Sequence, residues 1–248
     1  MTSLPRRRPD RLPISSARPA LEPLEYREVP AAYHFANGVF TIRMAEIANR
    51  AVSLDTRSDG VVVINSRASG GPNNYVVGAP NGRLHAGVVR RLVVHGSNQD
   101  DNIALSRVDT RAFNNLSGRV DIYGNGGRDT IDGTAFDDRI RGGEGNDRVF
   151  GLAGDDRIWG DGGHDDLYGD GNSSKWDRLG GHDRIDGGSG NDRLSGYGGN
   201  DVLVGRAGDD YFLGGVGADT AWIDGEDRRP RYGWPGVEKV ETGIPPLV

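Results

Sequence analysis

Aspartate residues recur every nine positions through most of the second half of this 248-residue sequence, and carboxylates at a fixed spacing are candidate ligands for a cation. Two stretches, 142–150 and 187–195, show the complete unit Gly-Gly-x-Gly-x-Asp-x-apolar-x. Ca²⁺ is a hard cation that prefers carboxylate and carbonyl oxygens. We therefore expect the metal ligands to be Asp129, Asp138, Asp147, Asp156, Asp165, Asp183, Asp192, Asp201, Asp210 and Asp219.

The nine-residue unit predicts a glycine-rich turn followed by a short strand. Glycine at the first and fourth positions permits positive φ, so the carbonyl groups of the turn can point at a common centre. Because side chains alternate along a strand, an apolar residue at position eight points inward while positions seven and nine face solvent. The expected inward residues are Ile131, Ile140, Val149, Ile158, Leu167, Ile185, Leu194, Leu203, Phe212 and Ala221.

This pattern resembles the calcium-binding nonapeptide repeat of the RTX family, the haemolysin-type repeat of secreted toxins, proteases and lipases. The resemblance covers residues 124–222, where ten units keep one phase. It implies an all-β fold, a right-handed parallel β-roll in which two units form one coil and several Ca²⁺ ions lie between turns stacked on the same edge. Asp129 should then stack on Asp147, and Ile131 on Val149. One departure is Phe136, which replaces the fourth glycine beside Asp138.

The repeat is interrupted after 171, and two interpretations of the interruption are open. If 172–180 were a regular unit, Asp183 would stack on Asp165 and Asp192 would lie over Ser174. If these nine residues are a loop inserted into a turn, Asp183 stacks on Asp156 and Asp192 on Asp165. We favour the inserted loop, because it leaves no carboxylate facing a serine and keeps Trp176 out of a core position that it would overpack.

The sequence outside the repeats divides into three further segments. Residues 1–30 are rich in arginine and proline and predict a disordered basic leader. Residues 31–123 contain short β-runs between turn signals and predict a β-rich N-terminal cap, which includes a degenerate repeat at 96–103. Residues 223–248 lack the pattern and are expected to form a short C-terminal cap, because a repeat array needs atypical ends.

Composition and charge exclude several classes of protein. The 40 glycines show no three-residue period, which excludes collagen, and the absence of cysteine excludes disulfides and thiolate metal sites. No apolar run is long enough for a membrane-spanning helix. Residues 124–222 hold 20 acidic and 10 basic side chains, whereas the whole chain has a net charge of −6. An acidic repeat argues against a nucleic-acid partner and favours a cation.

These features predict an exported calcium-binding protein that folds outside the cytoplasm and has no catalytic activity. One apolar side chain in nine residues makes a thin core, so Ca²⁺ binding is expected to supply folding free energy. The stretch Leu21-Glu22-Pro23-Leu24-Glu25-Tyr26-Arg27 resembles the Leu-Glu-x-Leu-Glu-x-Arg leader of exported proteins from one bacterial phylum.

Two alternatives stay open, the calcium-binding module of a secreted hydrolase and that of a surface adhesin with a protein or glycan partner. The sequence contains neither a His-Glu-x-x-His nor a Gly-x-Ser-x-Gly motif, which argues against a hydrolase. An exposed apolar or aromatic patch on the N-terminal cap would favour the adhesin.

Overall fold

The computed structural model describes residues 33–44, 51–65, 74–76, 78–79, 82–117, 120–171, 180–227 and 235–242. Within these ranges the chain forms β-strands and a 3₁₀ turn at Ala86–Val88, with no α-helix. No helix in the described part of the chain is long and apolar enough to cross a membrane. The strands are β1 Tyr33–Ala36, β2 Val39–Arg43, β3 Ala51–Thr56, β4 Val62–Asn65, β5 Asn74–Val76, β6 Gly78–Ala79, β7 Gly82–Arg83, β8 Arg91–His95, β9 Asn102–Ala104, β10 Val120–Gly126, β11 Thr130–Asp132, β12 Asp138–Glu144, β13 Arg148–Leu152, β14 Arg157–Gly162, β15 Asp166–Asp170, β16 Arg184–Ser189, β17 Arg193–Gly198, β18 Val202–Ala207, β19 Tyr211–Val216, β20 Asp219–Ile223 and β21 Val237–Thr242.

The strands assemble into two large sheets, and the chain passes from one to the other at each turn of the repeat. The first sheet has the order β1-β2-β8-β10-β12-β14-β16-β18-β20-β21, and the second has the order β19-β17-β15-β13-β11-β9-β3-β4-β5. From β8 to β20 the even-numbered strands belong to the first sheet and the odd-numbered strands to the second, and neighbours within each sheet are parallel. This arrangement confirms the predicted all-β, parallel β-roll fold.

The register between neighbouring strands follows two units of the repeat. Ile131 pairs with Val149, and Ile140 pairs with Ile158, so each residue lies beside the residue 18 positions later. The backbone N–H of Asp129 donates a hydrogen bond to Oδ1 of Asp147 at 2.8 Å. Both pairings match the expected coil of two units, because a strict period leaves only one register in which every apolar residue points inward.

Across the interruption the register shifts by one unit. Ile158 pairs with Ile185, and Leu167 pairs with Leu194, each 27 residues further along the chain. Asp183 therefore stacks on Asp156, and Asp192 stacks on Asp165, as the inserted-loop interpretation predicts. Residues 172–179 of the loop lie outside the described residues, but the strands on either side establish that a whole unit is skipped.

The two sheets continue upstream of the repeats. Strand β8 lies parallel to β10, and β9 lies parallel to β11, so the degenerate repeat at 96–103 forms a coil of its own. Strands β2 and β3 extend the same two sheets by a further parallel pair. The division at residue 124 thus marks a change in sequence pattern within continuous sheets. The domain boundaries, including the leader at 1–30 outside the described residues, stay predictions.

The core lies between the sheets and is formed mainly by one inward side chain from each strand. All ten residues predicted at position eight are buried, with at most 1% of their surface exposed. Phe40, Leu92, Ile103 and Ile122 continue the apolar core upstream, where Phe113 packs into the same cluster. Burial of a single apolar side chain in each strand provides little stabilisation for the number of residues ordered, which makes the turns decisive for stability.

Candidate calcium sites

The site aspartates are stacked on one another at the turns, in two continuous series of hydrogen bonds. In each series the backbone N–H of one acidic residue donates to a carboxylate oxygen of the next, at 2.7–2.9 Å between aspartates. We call the series at the turns that lead from the first sheet to the second the first ladder, and the other series the second ladder. The first ladder comprises Asp101, Asp129, Asp147, Asp165, Asp192, Asp210 and Asp227. The second ladder comprises Asp138, Asp156, Asp183, Asp201, Asp219 and Glu238.

The second carboxylate oxygen of most site aspartates is buried without a partner. Oδ1 accepts the ladder hydrogen bond, whereas Oδ2 has no hydrogen-bond partner among the described residues. These side chains are at most 3% exposed, so the oxygen is shielded from water as well. A buried charged oxygen with no partner is costly unless another group binds it. The aspartates with a buried Oδ2 that has no partner are Asp129, Asp147, Asp156, Asp165, Asp183, Asp192, Asp201, Asp210 and Asp219.

The unpartnered oxygens face a small space that is bounded by the next turn. A methyl carbon built on Gly124 would lie 2.3 Å from Oδ2 of Asp129 and 2.3 Å from the carbonyl oxygen of Gly142. The same pair of contacts recurs at Gly151, at 2.2 and 2.3 Å, and at Gly160, at 2.3 and 2.3 Å. Each space thus presents a carboxylate oxygen from one turn and a carbonyl oxygen from the next, which is the donor set that Ca²⁺ prefers.

The donors in these spaces come largely from the backbone. Among the described residues no three His, Cys, Asp or Glu side chains converge into one group that could hold a metal. A site that takes one aspartate from each turn and completes its shell with carbonyl oxygens needs no such group. The residues present therefore fit Ca²⁺, which accepts six to eight oxygen ligands, better than a metal that requires several imidazole or thiolate ligands.

The fourth glycine of each interior unit allows the turns to stack closely. Gly145 has φ +124°, and a methyl carbon there would lie 1.9 Å from the carbonyl oxygen of Gly127 in the preceding turn of the same ladder. No side chain fits at such a distance. Phe136 and Gln99 occupy the fourth position in the first turn of each ladder, where the described residues include no earlier acidic side chain that continues the series of hydrogen bonds.

Position two of the interior turns holds several residues in an unfavourable backbone conformation. Leu152 has φ 90° and Arg206 has φ 74°, in the left-handed region that disfavours residues with a Cβ atom. Asn125, Asp161 and Tyr197 share this conformation. The turn geometry is therefore imposed on these residues by the stack, at an energetic cost that ion binding can offset.

Burial raises the pKa of the site aspartates well above the ordinary value of 3.8. Desolvation is the largest cause throughout; it raises the pKa of Asp129, Asp165, Asp201 and Asp210 to about 7 and that of Asp183 to about 9. The ladder hydrogen bond from the preceding turn lowers each pKa, but by less than desolvation raises it. Without a cation these carboxyls hold their protons to a higher pH than an exposed aspartate does, so a Ca²⁺ that binds the charged form would displace protons.

The turn at Asp138 differs from the interior turns. Thr134 donates its backbone N–H to Oδ2 of Asp138 at 2.6 Å and its hydroxyl to Oδ1 at 2.8 Å. In the first ladder Ser97 does the same for Oδ2 of Asp101, through its N–H at 2.5 Å and its hydroxyl at 2.8 Å. The first turn of each ladder thus satisfies with its own hydroxyl residue the oxygen that interior turns leave without a partner.

The residue before each site aspartate belongs to a second, exposed series of hydrogen bonds, which the sequence did not reveal. The N–H of Asn191 donates to Nδ1 of His164 at 2.7 Å, and the N–H of Asn200 donates to Nδ1 of His182 at 2.8 Å. Asn146 and Asp155 accept equivalent bonds from the next turn. The preference for Asn, Asp and His at position five was a signal for this role, since each can accept a hydrogen bond from a neighbouring backbone.

Two acidic residues of the ladders also escape the nine-residue pattern. Asp227 accepts the N–H of Asp210 at 2.9 Å although it lies 17 residues later, and Glu238 accepts the N–H of Asp219 at 2.5 Å although it lies 19 residues later. Each is one residue out of phase with the 18-residue coil. A search for acidic residues within one position of the expected phase would have found both.

The parallel strands and the stacked turn carboxylates together define a β-roll of the calcium-binding class. The family described as the RTX calcium-binding nonapeptide repeat matches in four copies, over residues 123–157, 142–173, 179–212 and 186–221. The RTX resemblance of this segment is therefore confirmed, and with it the presence of calcium-binding repeats. A comparison with curated proteins and a comparison with solved structures found no match.

Proposed function

We propose that this protein is an exported calcium-binding β-roll without catalytic activity of its own, and that it folds when it binds Ca²⁺ outside the cytoplasm. The observation that carries the proposal is the series of buried, unpartnered Oδ2 atoms, repeated at each interior turn of both ladders. Each Oδ2 is the proposed ligand, together with a glycine carbonyl of the next turn. When bound, Ca²⁺ would neutralise the negative charge of these carboxylates.

The balance of charge and burial supports folding that depends on Ca²⁺. The first ladder contains five interior aspartates and the second contains four. Each of them lies next to another carboxylate of the same ladder. Like charges buried together destabilise the folded state, and an ion that binds only the folded state reverses this effect by mass action. The roll is therefore expected to be largely unfolded without Ca²⁺ and folded with it.

Export is proposed because calcium-dependent folding requires a Ca²⁺ concentration that extracellular modules encounter and the cytoplasm does not provide. Extracellular calcium modules bind at about 10⁻⁴–10⁻³ M, far above the level at which cytoplasmic sensors respond. A roll with sites of this affinity would stay unfolded before export and fold afterwards. The leader-like stretch at 21–27, outside the described residues, is consistent with this route.

The direct test is a Ca²⁺ titration of the full chain followed by far-UV circular dichroism. We expect a coil-like spectrum in chelator and a cooperative gain of β-signal up to millimolar Ca²⁺, whereas Mg²⁺ at the same concentration should produce a much smaller change. A spectrum that is identical in chelator and in millimolar Ca²⁺ would refute calcium-dependent folding.

A matched pair of variants separates ligands from general negative charge. Asp147→Ala removes a buried carboxylate whose Oδ2 has no partner among the described residues, whereas Asp161→Ala removes a partly exposed carboxylate 3.7 Å from the guanidinium of Arg141. Asp147→Ala should raise the calcium concentration at the folding midpoint markedly, and Asp161→Ala should leave it nearly unchanged. Equal shifts would mean that the carboxylates act as a diffuse field.

A further inference from the structure

The segment after the last repeat adds a turn and a strand to the roll. Strand β21 lies parallel to β20 in the first sheet, with a register shift between Asp219 and Thr220. The turn before it, at 235–236, stacks on the turn that contains Asp219, and the N–H of Gly214 donates to the carbonyl oxygen of Pro235 at 2.9 Å. The repeat match ends at residue 221, so this turn belongs to no repeat unit.

This added turn presents oxygens to Asp219 in the manner of an interior turn. Asp219 is 1% exposed, and its Oδ2 has no hydrogen-bond partner within the described ranges. A methyl carbon built on Gly214 would lie 2.6 Å from this Oδ2 and 2.1 Å from the carbonyl oxygen of Gly236. The corresponding oxygens at Gly124 in the interior of the roll belong to Asp129 and Gly142. Gly236 thus takes the place of a repeat glycine.

The end of the first ladder lacks this arrangement. Asp227 accepts the N–H of Asp210 through Oδ1, but its Oδ2 accepts the N–H of Asp224 at 2.9 Å. Asp227, the last acidic residue of the first ladder, therefore has both carboxylate oxygens hydrogen-bonded, whereas the last two turns of the second ladder present two oxygens that face each other.

We propose that Asp219, Gly236 and Glu238 form a further Ca²⁺ site, completed by the segment that follows the repeats. Oδ2 of Asp219 and the carbonyl oxygen of Gly236 are its ligands, and the carboxylate of Glu238, bonded to the N–H of Asp219, contributes a second negative charge. The inference rests on the proposed calcium-binding function. Its consequence is that the ion attaches β21 to the roll, so docking of this strand depends on Ca²⁺.

The test counts Ca²⁺ ions per chain by equilibrium dialysis at saturating Ca²⁺. Gly236→Ala should displace the carbonyl, since Gly236 has φ 72° and a methyl group there would lie 2.2 Å from the backbone nitrogen of Gly215. We expect this variant to lose one ion and to keep the β-signal of the repeats. The control is Gly225→Ala, where no described atom lies within 4 Å of the added methyl carbon. It should bind as many ions as the unmodified chain.

A second variant, Glu238→Gln, keeps an oxygen that can accept the N–H of Asp219 but removes the charge. It should lower the affinity for one Ca²⁺ ion about tenfold and reduce amide-exchange protection of 237–242 in limiting Ca²⁺. The variant Asp227→Asn should change neither the affinity nor the protection. An unchanged ion count in Gly236→Ala, or unchanged affinity in Glu238→Gln, overturns the inference and leaves the proposed function intact. If the unmodified chain binds no Ca²⁺, both proposals fail together.

Discussion

The interior turns of the roll and the first turn of each ladder are built from the same unit but satisfy their carboxylates differently. In the first turns a hydroxyl residue donates hydrogen bonds to the aspartate: Thr134 donates to Asp138, and Ser97 donates to Asp101. In most interior turns position two is a residue with positive φ, and the equivalent oxygen has no partner among the described residues. The first turns thus supply donors to Oδ2 of the aspartate, although Oδ1 of Asp101 has no partner among the described residues, whereas the interior turns leave Oδ2 available to an ion.

The largest expected effect concerns the interior turns acting together and depends on pH. In calcium-free buffer the folded-state pKa of Asp129 and Asp165 is raised to about 7 from 3.8. A raised folded-state pKa means that these groups favour the folded state below about pH 4, and that this contribution is lost as the pH rises to about 7. The calcium-free protein should therefore gain β-structure on acidification, and circular dichroism between pH 4 and 8 measures it.

With Ca²⁺ present the dependence reverses, because protons and the ion compete for the same oxygens. The calcium concentration at the folding midpoint should rise as the pH falls below about 7, and calcium binding at pH 7 should release protons into a weakly buffered solution. A calcium-free protein that becomes less folded on acidification would contradict the burial of these carboxylates.

The next effect comes from the fourth position of the unit. Gly145→Ala combines an unfavourable φ with a methyl carbon 1.9 Å from a carbonyl oxygen, so we expect a loss on the order of 3–5 kcal/mol in saturating Ca²⁺. Gln99→Ala at the same position of a first turn should change stability by less than about 0.5 kcal/mol. Chemical denaturation monitored by circular dichroism measures both. Similar losses at the two positions would show that first turns are stacked as tightly as interior ones.

A smaller effect distinguishes the two kinds of aspartate. Asp156→Asn should weaken calcium binding at its site about tenfold, close to 1.4 kcal/mol, while stabilising the calcium-free roll because a buried charge is removed. Asp138→Asn should have a weaker effect on calcium, since Thr134 already hydrogen-bonds to both carboxylate oxygens there. Isothermal titration calorimetry and calcium-free melting of the two variants provide the comparison. A larger loss of affinity for Asp138→Asn would reverse the assignment.

The smallest effect concerns position two. Leu152→Gly relieves the strain of φ 90° in an interior turn and should raise stability by about 0.5–1 kcal/mol. Thr134→Gly at the same position of a first turn removes the hydroxyl that donates to Oδ1 of Asp138 and accepts the N–H of Phe136, and it should lower stability by about 1–2 kcal/mol. Thermal melting in saturating Ca²⁺ measures the two changes, and the opposite signs are the test.

Most of the repeat region could be predicted from the sequence because the signal is repeated in phase. One inward residue in each unit, such as Ile131 or Val149, fixes the register, and ten consistent units leave no alternative pairing. The inserted loop at 172–180 was predictable for the same reason, since removing nine residues restores the phase. The parallel continuation through β2 and β3 was not, because those strands carry no repeat signature.

The sequence by itself thus determined the period, the inward residues and the positions of the aspartates, which are local properties of a nine-residue unit. Only the tertiary structure decided which carboxylate oxygens lack a partner, because Oδ1 takes its partner from the turn one coil away and Oδ2 depends on the conformation of its own turn. It also decided how the ladders end. Asp227 and Glu238 each lie one residue out of phase with the repeat, yet each accepts the N–H of the preceding aspartate in its ladder. A shift of one residue is tolerated at these two positions because no later turn in the described part of the chain stacks on them in register.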